Sequence, residues 1–594
     1  MRRLPQFRVV FALFSVIVAL PASAQTIPTD PQATCTVSST LFNSWFQMSP
    51  PALNGVVNPA NGIMFPNTPN CSFYQWGMQM FLWLTSPAPA EYGGGGGRIM
   101  DSPTFYDVSP EDSMGNRTLI PHTVNFIRNL NLRAAQPGPH GLPIIFDKTG
   151  RMLELVAKPT LAPSGRLLVL SGAAGAAPAS VEISRVRAGK NGKALFLDAA
   201  GKTILNAKPI LPRGLNPELT VQQFLNGKIP IFVNGLGNVV PVEQGQAGGG
   251  GVLEAQKTTL PNGSLVYYAL MVNDVYAYFL TGSKDNKISP MPTEFPITQP
   301  ELNQVIAFAG AQTPPKVFPD PTALAVEVKT AWVLASSLPS NGAGYITMTA
   351  SIPTYNMSSN TTWTPKTNET ALLAMVGLHV VGSVNGHPEM IWATFEHVGN
   401  TPNAAYSYVA TGGTMKSVAQ TTAGTWLFSK TGAGAPFNSE HMTFVSPNIV
   451  ASSGNTISPS NTLRLNAWGA NPSVAPNPVD ATTAASNSEI ISINNSVRGM
   501  MPAGDPRDNY FTTGATWTVN GFAPTGSFSG SVSNGIEVGT SQMANSTMET
   551  YQQFPSMNCF ACHGRGSGTV NPNLSAAMDN NPISHIYQVI KPLF

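Results

Sequence analysis

Cysteine is nearly absent from this chain: 594 residues contain four, Cys35, Cys71, Cys559 and Cys562. A chain of this length can bury a large core and does not need disulfides merely to fold, so the few cysteines present ask for a separate explanation. Charge is scarce as well, 10% of residues against about 25% in an ordinary soluble protein. The formal net charge of +2 gives no basic field to draw in nucleic acid or an anionic membrane, and nucleic acid is excluded as a partner on that ground. After the first residues no stretch reaches about 18 uninterrupted apolar positions, so no later membrane-spanning helix is expected. G-x-S-x-G, H-E-x-x-H and tandem repeats are missing too. The glycine runs lack the trailing Lys-Ser/Thr or helix that would cradle a phosphate.

What fills the deficit is Gly (54) and Pro (52), with abundant Ser, Thr and Asn, the residues of turns and short strands. That mix suits a β-rich protein working outside the cytoplasm, and the length predicts two to four domains. The N-terminus agrees. "MRRLPQFR" is a positive region, "VVFALFSVIVAL" is apolar, and "PASAQ" offers small residues for cleavage after Ala24. The expectation is a signal peptide over 1–24, a mature chain from Gln25 without a transmembrane anchor, and a periplasmic or secreted location. Paired Arg2 and Arg3 lack the rest of a twin-arginine signal, so general export is the expected route.

In an oxidising compartment the cysteines fall into two pairs. Cys35 and Cys71 are expected to form a structural disulfide, the alternatives being free thiols or bonding to the distant pair. Cys559-Phe-Ala-Cys562-His563 admits three chemistries. A redox dithiol would need a thioredoxin-like βαβ setting, which the Gly/Pro/Asn-rich surroundings do not resemble. A zinc site would need a further Cys or His pair nearby, and none is there. Covalent haem attachment uses C-x-x-C-H, with both thiols reaching the vinyl groups on one porphyrin edge and the adjacent imidazole reaching the iron. Haem is attached outside the cytoplasm, so the motif and the signal peptide support each other.

Through these residues the chain resembles the c-type cytochromes. The resemblance implies one haem c, thioether bonds from Cys559 and Cys562, and His563 as proximal iron ligand. It departs from the small cytochromes in position, because too little chain follows the motif for their fold. "GQAGGGGVLEAQ", "GSLVYYALMVNDVYAYFLTG", "VEVKTAWVLA", "GLHVVG", "IWATFEHVGNTP" and "MANSTMETYQQ…CFACHG" together resemble a loosely defined group of large exported bacterial cytochrome-c-family proteins. That likeness spans 71–594 and implies one haem on a large β-rich body, with no substrate.

The rest of the chain supplies the context. "CSFYQWGMQMFLWLTSP" puts Phe73, Trp76, Met80, Phe81 and Leu84 near helical spacing and predicts a buried helix. "TQPELNQVIAFAG" predicts a second helix, with Thr298 and Glu301 as its capping box. Short strands are expected in "GRLLVLSG", "KALFLDAAG", "GSLVYYALMVNDVYAYFLTG" and "ALAVEVKTAWVLAS". "EYGGGGGRIMD" and "EQGQAGGGGVLEAQ" read as loops. "ALLAMVGLHVVGSV" and "EMIWATFEHVG" flank the turn "NGHP". If Val384 opposes Glu389, His379 shares a face with Trp392, Thr394 and Glu396 while His397 points to the other. Each histidine could approach the haem or carry a proton, or be an ordinary hydrogen-bonded strand residue.

Around the motif, Ser546 and Glu549 are expected to cap a short helix over "STMETYQQF". "NPISHIYQVIKPLF" is expected to be a terminal helix with Ile583, Ile586, Tyr587 and Ile590 as its apolar stripe. The two would sandwich the macrocycle. The sixth iron ligand is expected to be His585, with Met578 second and His379 third. The expected fold is α+β, mainly β: a large sandwich-like β-rich body with a short helical haem-binding C-terminal segment. The boundaries are signal peptide 1–24, N-terminal region 25–130, β-rich body 131–535 of one or two subdomains, and haem segment 536–594. The expected function is electron transfer between a donor and an acceptor, whether redox protein or small molecule. The alternatives are a haem enzyme with an open sixth position acting on peroxide or a nitrogen oxide, and a haem-stapled binding or sensor module.

Overall fold

The structure is a computed structural model. It describes residues 26–60, 70–93, 97–109, 116–123, 128–130, the strands between 144 and 241 with 184 and 198–204, 253–256, 263–289, 294–320, 323–430, 436–439, 441–445, 448–451, 456–469, 480–522, 524, 534–540, 542–553, 559–560, 584, 586–587 and 590–594. The expected signal peptide, most of the "EQGQAGGGGVLEAQ" loop, Cys562, His563, Met578, Ile583 and His585 lie outside the described residues.

The architecture is α+β and mainly β. Its centre is one twelve-stranded sheet. In chain order its principal strands are β1 (Phe105–Val108), β2 (Leu119–Pro121), β3 (Tyr267–Asn273), β4 (Val326–Leu334), β5 (Thr347–Asn356), β6 (Thr362–Val384), β7 (His387–His397), β8 (Tyr510–Thr518) and β9 (Glu537–Gly539). They lie in the order β2-β1-β3-β4-β6-β7-β8-β9, every neighbour antiparallel, and β5 branches off by pairing with β6. Among the described residues the principal helices are α1 (Ser39–Trp45), α2 (Cys71–Thr85), α3 (Asp274–Lys284), α4 (Gln299–Gly310) and α5 (Ala481–Arg498). Among the described residues no helix is long and apolar enough to cross a membrane.

One face of the sheet carries the largest core. There α2 lies against β7 and β8, with Phe81 stacked on Phe395 at 4.4 Å and Phe73 on Trp517 at 3.7 Å. The approach is close enough that a Cβ on Gly77 would stand 2.9 Å from Ala393 Cβ, so α2 needs glycine at the crossing. The expected buried helix is thus present. Cys71 at its start is bonded to Cys35, with Cα atoms 5.2 Å apart. The expected capping box of Thr298 and Glu301 opens α4.

One expected strand is a strand only in its first half. "GSLVYYALMVNDVYAYFLTG" pairs as β3 up to Asn273, whose side chain then accepts a hydrogen bond from the Tyr276 N–H at 3.1 Å and starts α3. The β-branched and aromatic composition is continuous across the junction. A single capping asparagine makes the difference.

The β6–β7 hairpin has the expected register, with His379 opposite Thr394 and Gly377 opposite Glu396. Its turn is tighter than expected, since Val384 faces His387, and a bulge between Gly382 and Val384 absorbs the offset.

Candidate functional site

Alternation along β7 divides its side chains between two environments. Ala393, Phe395 and His397 face the α2 side. His397 is sealed there, stacked on Tyr345 at 3.6 Å, and its Nδ1 accepts from the Gly399 N–H at 3.1 Å. Burial lowers its imidazole from 6.5 to about 3, so it stays neutral and packs as a core residue. Trp392, Thr394 and Glu396 face the opposite way, towards the chain that leads into and out of the cysteine motif.

The incoming chain is fixed residue by residue. Asn545 donates to Thr394 Oγ1 at 2.9 Å and to the Phe395 carbonyl at 3.0 Å. The Ser546 N–H donates to Glu396 Oε1 at 2.8 Å, and its hydroxyl binds Glu396 Oε2. Arg464 holds the same buried carboxylate through Nη2 at 2.6 Å and Nε at 3.2 Å. The Tyr268 hydroxyl donates to the Thr547 carbonyl at 2.6 Å. A Cβ on Gly377 would stand 2.4 Å from Thr547 Oγ1, so the chain can lie on β6 there only because position 377 has no side chain.

The expected capping box is displaced by one residue. Asn545, not Ser546, caps the turn: its Oδ1 accepts from the Thr547 N–H at 2.9 Å, and Glu549 reaches back to the Asn545 N–H at 3.0 Å. Ser546 is committed to Glu396, and the expected helix is a turn followed by one 3-10 turn, Thr550–Gln552. Glu549 also meets His379, Nε2 to Oε2 at 2.9 Å, and Lys329, Nζ to Oε1 at 3.8 Å. His379 is therefore on the face expected of it and tied to a carboxylate.

Beyond the motif the chain returns to the same face. The Ser584 hydroxyl donates to Glu327 Oε2 at 2.7 Å and meets the Tyr276 hydroxyl at 2.7 Å. Ile586, Tyr587 and Ile590 are buried in an apolar cluster with Tyr276, Phe279 and Phe295. Lys284 Nζ caps the Ile590 carbonyl at 2.6 Å. Of the expected stripe Ile586, Tyr587 and Ile590 are buried, Ile583 lying outside the described residues, and the described residues form turns and a bridge to Arg117.

Of the motif itself, Cys559 and Phe560 are described. Phe560 is fully buried, edge-on to Trp392 with ring centroids 5.7 Å apart, and Cys559 beside it is half-buried. Close by lies the buried carboxyl of Glu537 on β9. Thr516 Oγ1 donates to its Oε1 at 3.0 Å, while Oε2 has no hydrogen-bond partner. The backbone N–H groups of Cys559 and Phe560 are turned towards this carboxyl and favour its charged form without closing a hydrogen bond to Oε2; burial outweighs them and pushes the group well above the usual carboxylate range. Cys559 thus offers a half-exposed thiol beside an apolar aromatic wall, while Cys562 and His563, the other residues that would hold a haem, lie outside the described residues. No group of three or more His, Cys, Asp or Glu able to hold a bare metal ion occurs among the described residues.

Glu537, Glu327, Lys329 and Arg464 were not legible in the sequence as part of this site. Glu537 and Arg464 are lone charges whose neighbours come from distant segments, and Glu327 and Lys329, two apart on β4, meet Ser584 and Glu549 only through the fold. Compared with protein-family models, curated proteins and solved structures, the chain finds no match in any of the three.

Proposed function

We propose that this protein is an exported monohaem c-type cytochrome that passes single electrons between partners, working in the periplasm or outside the cell. The observation that carries the reading is the anchoring of the C-x-x-C-H segment. Its leading chain at 545–549 and its trailing chain at 584–590 are both pinned to one face of the sheet, with Phe560 seated on Trp392. A segment so held on both sides is suited to keeping a ring at one place and orientation.

In this reading Cys559 and Cys562 hold the ring and His563 ligates its iron. Haem, when bound, supplies reversible one-electron iron chemistry at a potential set by ligands, burial and hydrogen bonds. The protein's own residues contribute the rest. Trp392 and Phe560 give an apolar wall, and the Glu549–His379–Lys329 cluster fixes the incoming chain. His379 is engaged with Glu549, which favours His585 as sixth ligand, with Met578 second. The two neighbours of His585 in sequence are anchored on the same face, Ser584 by Glu327 and Ile586 in the apolar cluster. The Cys35–Cys71 bond suits an oxidising compartment.

The test uses protein exported alongside the haem-attachment machinery. Denaturing gels stained for haem should show a band for wild type and none for Cys559→Ala/Cys562→Ala. Absorption spectra of both oxidation states should be six-coordinate, low-spin and indifferent to carbon monoxide. A haem band in the double variant sinks the attachment assignment. Ready binding of carbon monoxide replaces the electron carrier with a haem enzyme or sensor.

A further inference from the structure

We propose that a cavity at the end of β4 binds a neutral saccharide, held by Tyr267, Tyr355, Asn341 and Glu369. The cavity arises from strands of unequal length. β4 stops at Leu334, which pairs with Leu373, whereas β6 extends past that point to Thr362 with β5 on its other edge. The chain leaving β4 turns away through two short 3-10 turns, Ala335–Ser337 and Pro339–Gly342, before it enters β5. A space of about 370 Å³ is left between these turns and the β5–β6 ribbon. That volume lies within the range of small-molecule sites. None of the lining residues belongs to the motif-bearing face, so the inference stands apart from the haem reading and goes beyond it.

The floor is sealed and the rim is open: Tyr267, Ile352 and Tyr355 are buried, while Asn341 and Glu369 are exposed. A register shift between Pro353 and Tyr355 re-aims the side chains of β5 there. Tyr355 is 7% exposed, yet among the described residues its hydroxyl has no hydrogen-bond partner. The partnerless tyrosine hydroxyls sealed from solvent are those of Tyr74 and Tyr406, so that of Tyr355 opens onto the cavity its residue lines. Burial raises it to about 12, which keeps it protonated and able to donate. The Tyr267 hydroxyl reaches only the Pro353 carbonyl, at 3.4 Å. On the rim, Ser340 and Asn341 are both left-handed, at φ 52° and 54°, a strained conformation that clusters at ligand-binding sites. The Asn341 amide and the Glu369 carboxylate have no hydrogen bond or ion pair among the described residues. These groups select the ligand. No lining residue is positively charged, so an anion finds no counter-charge. A hydroxyl that donates and accepts, an amide and a carboxylate, set around two buried aromatic rings, match the hydroxyls and the C–H edges of a sugar. The single carboxylate is exposed, where an ion pair contributes little, so a small organic cation is served less well.

The experiment is isothermal titration of the full exported chain with D-glucose, D-galactose, D-mannose, N-acetyl-D-glucosamine, maltose and cellobiose, with tetramethylammonium as the cationic control. At least one of the sugars should bind saturably. Y355F removes a hydroxyl and keeps the ring, and N341G removes the amide and keeps the left-handed backbone. Each should weaken that sugar about tenfold. E369Q keeps a hydrogen-bonding oxygen at the rim and should lose no more than about threefold. N341G, on the exposed rim, decides the matter if Y355F does not fold. Sugar binding at wild-type strength in both Y355F and N341G places the ligand elsewhere and overturns the proposal. No saturable binding of any of these sugars also overturns it. Tetramethylammonium binding that E369Q abolishes, with no sugar bound, replaces the saccharide with an organic cation.

Discussion

At the scale of single residues, the most informative side chain on the motif-bearing face is Glu327. It projects half-buried from β4, where the Ser584 hydroxyl donates to it and Lys329 and Arg117 favour its charge only weakly. Burial dominates and raises its carboxyl from 4.5 to about 7. The sign follows from the proton balance. Between about pH 4.5 and 7 the folded protein keeps a proton that the unfolded chain has lost, so this group's contribution to stability declines as pH rises through that window. The full decline is about 3 kcal/mol. Glu327→Gln removes the titration but keeps an acceptor for Ser584. Denaturant titrations at pH 5 and pH 8 should therefore show a smaller loss in the variant, which should be the more stable protein at pH 8. Parallel pH profiles for the two proteins would refute the assignment.

At the scale of elements, Asn273 decides where a strand ends and a helix begins. Its Oδ1 accepts from the Tyr276 and Val326 N–H groups and its Nδ2 donates to the Leu324 carbonyl, so it ties β3, α3 and the entry to β4 together. Asn273→Ala removes a cap and leaves buried backbone groups unmet, at an expected cost of about 2–4 kcal/mol by chemical denaturation. A cost under about 0.5 kcal/mol, the scale of ordinary surface substitutions, would mean that α3 is held by packing alone. The same residue shows what the sequence does and does not display. The buried stripe of α2, the capping box of α4 and the face of His379 follow from spacings of two to four residues, and all are present. The end of β3 was hidden because the apolar run is equally good as strand or helix. The shift of the cap from Ser546 to Asn545 was hidden for another reason: Ser546 is bound to Glu396, 150 residues away in sequence. Local patterns rank candidate caps, and a distant buried carboxylate chooses among them.

At the scale of the whole molecule, the sheet has two unlike sides. One is packed by α2 and α5 into the largest apolar cluster, in which Trp83, Trp332, Trp468 and Trp517 are fully buried. The N-terminal chain is sewn to this side as well. Cys35 exchanges hydrogen bonds with the Ser492 hydroxyl of α5 at 3.1 and 2.7 Å, and its sulfur is bonded to Cys71 of α2. The other side receives the motif-bearing chain, whose described flanks are held by protein groups. Of the described residues, the motif adds Phe560 against Trp392 to this packing. The division carries a consequence for the rival view of haem as a structural staple. If the ring were needed to hold the body together, the flanks would lack partners of their own, whereas Asn545, Ser546, Thr547, Glu549, Ser584 and Ile590 all have them. Cys559→Ala/Cys562→Ala should therefore fold, retain the Cys35–Cys71 bond and unfold cooperatively within a few degrees of wild type. Differential scanning calorimetry with near-ultraviolet circular dichroism measures this directly. A broad transition with a collapsed aromatic signal would show that the body depends on its haem, and the staple would then displace the electron carrier as the reason for so large a protein around one motif.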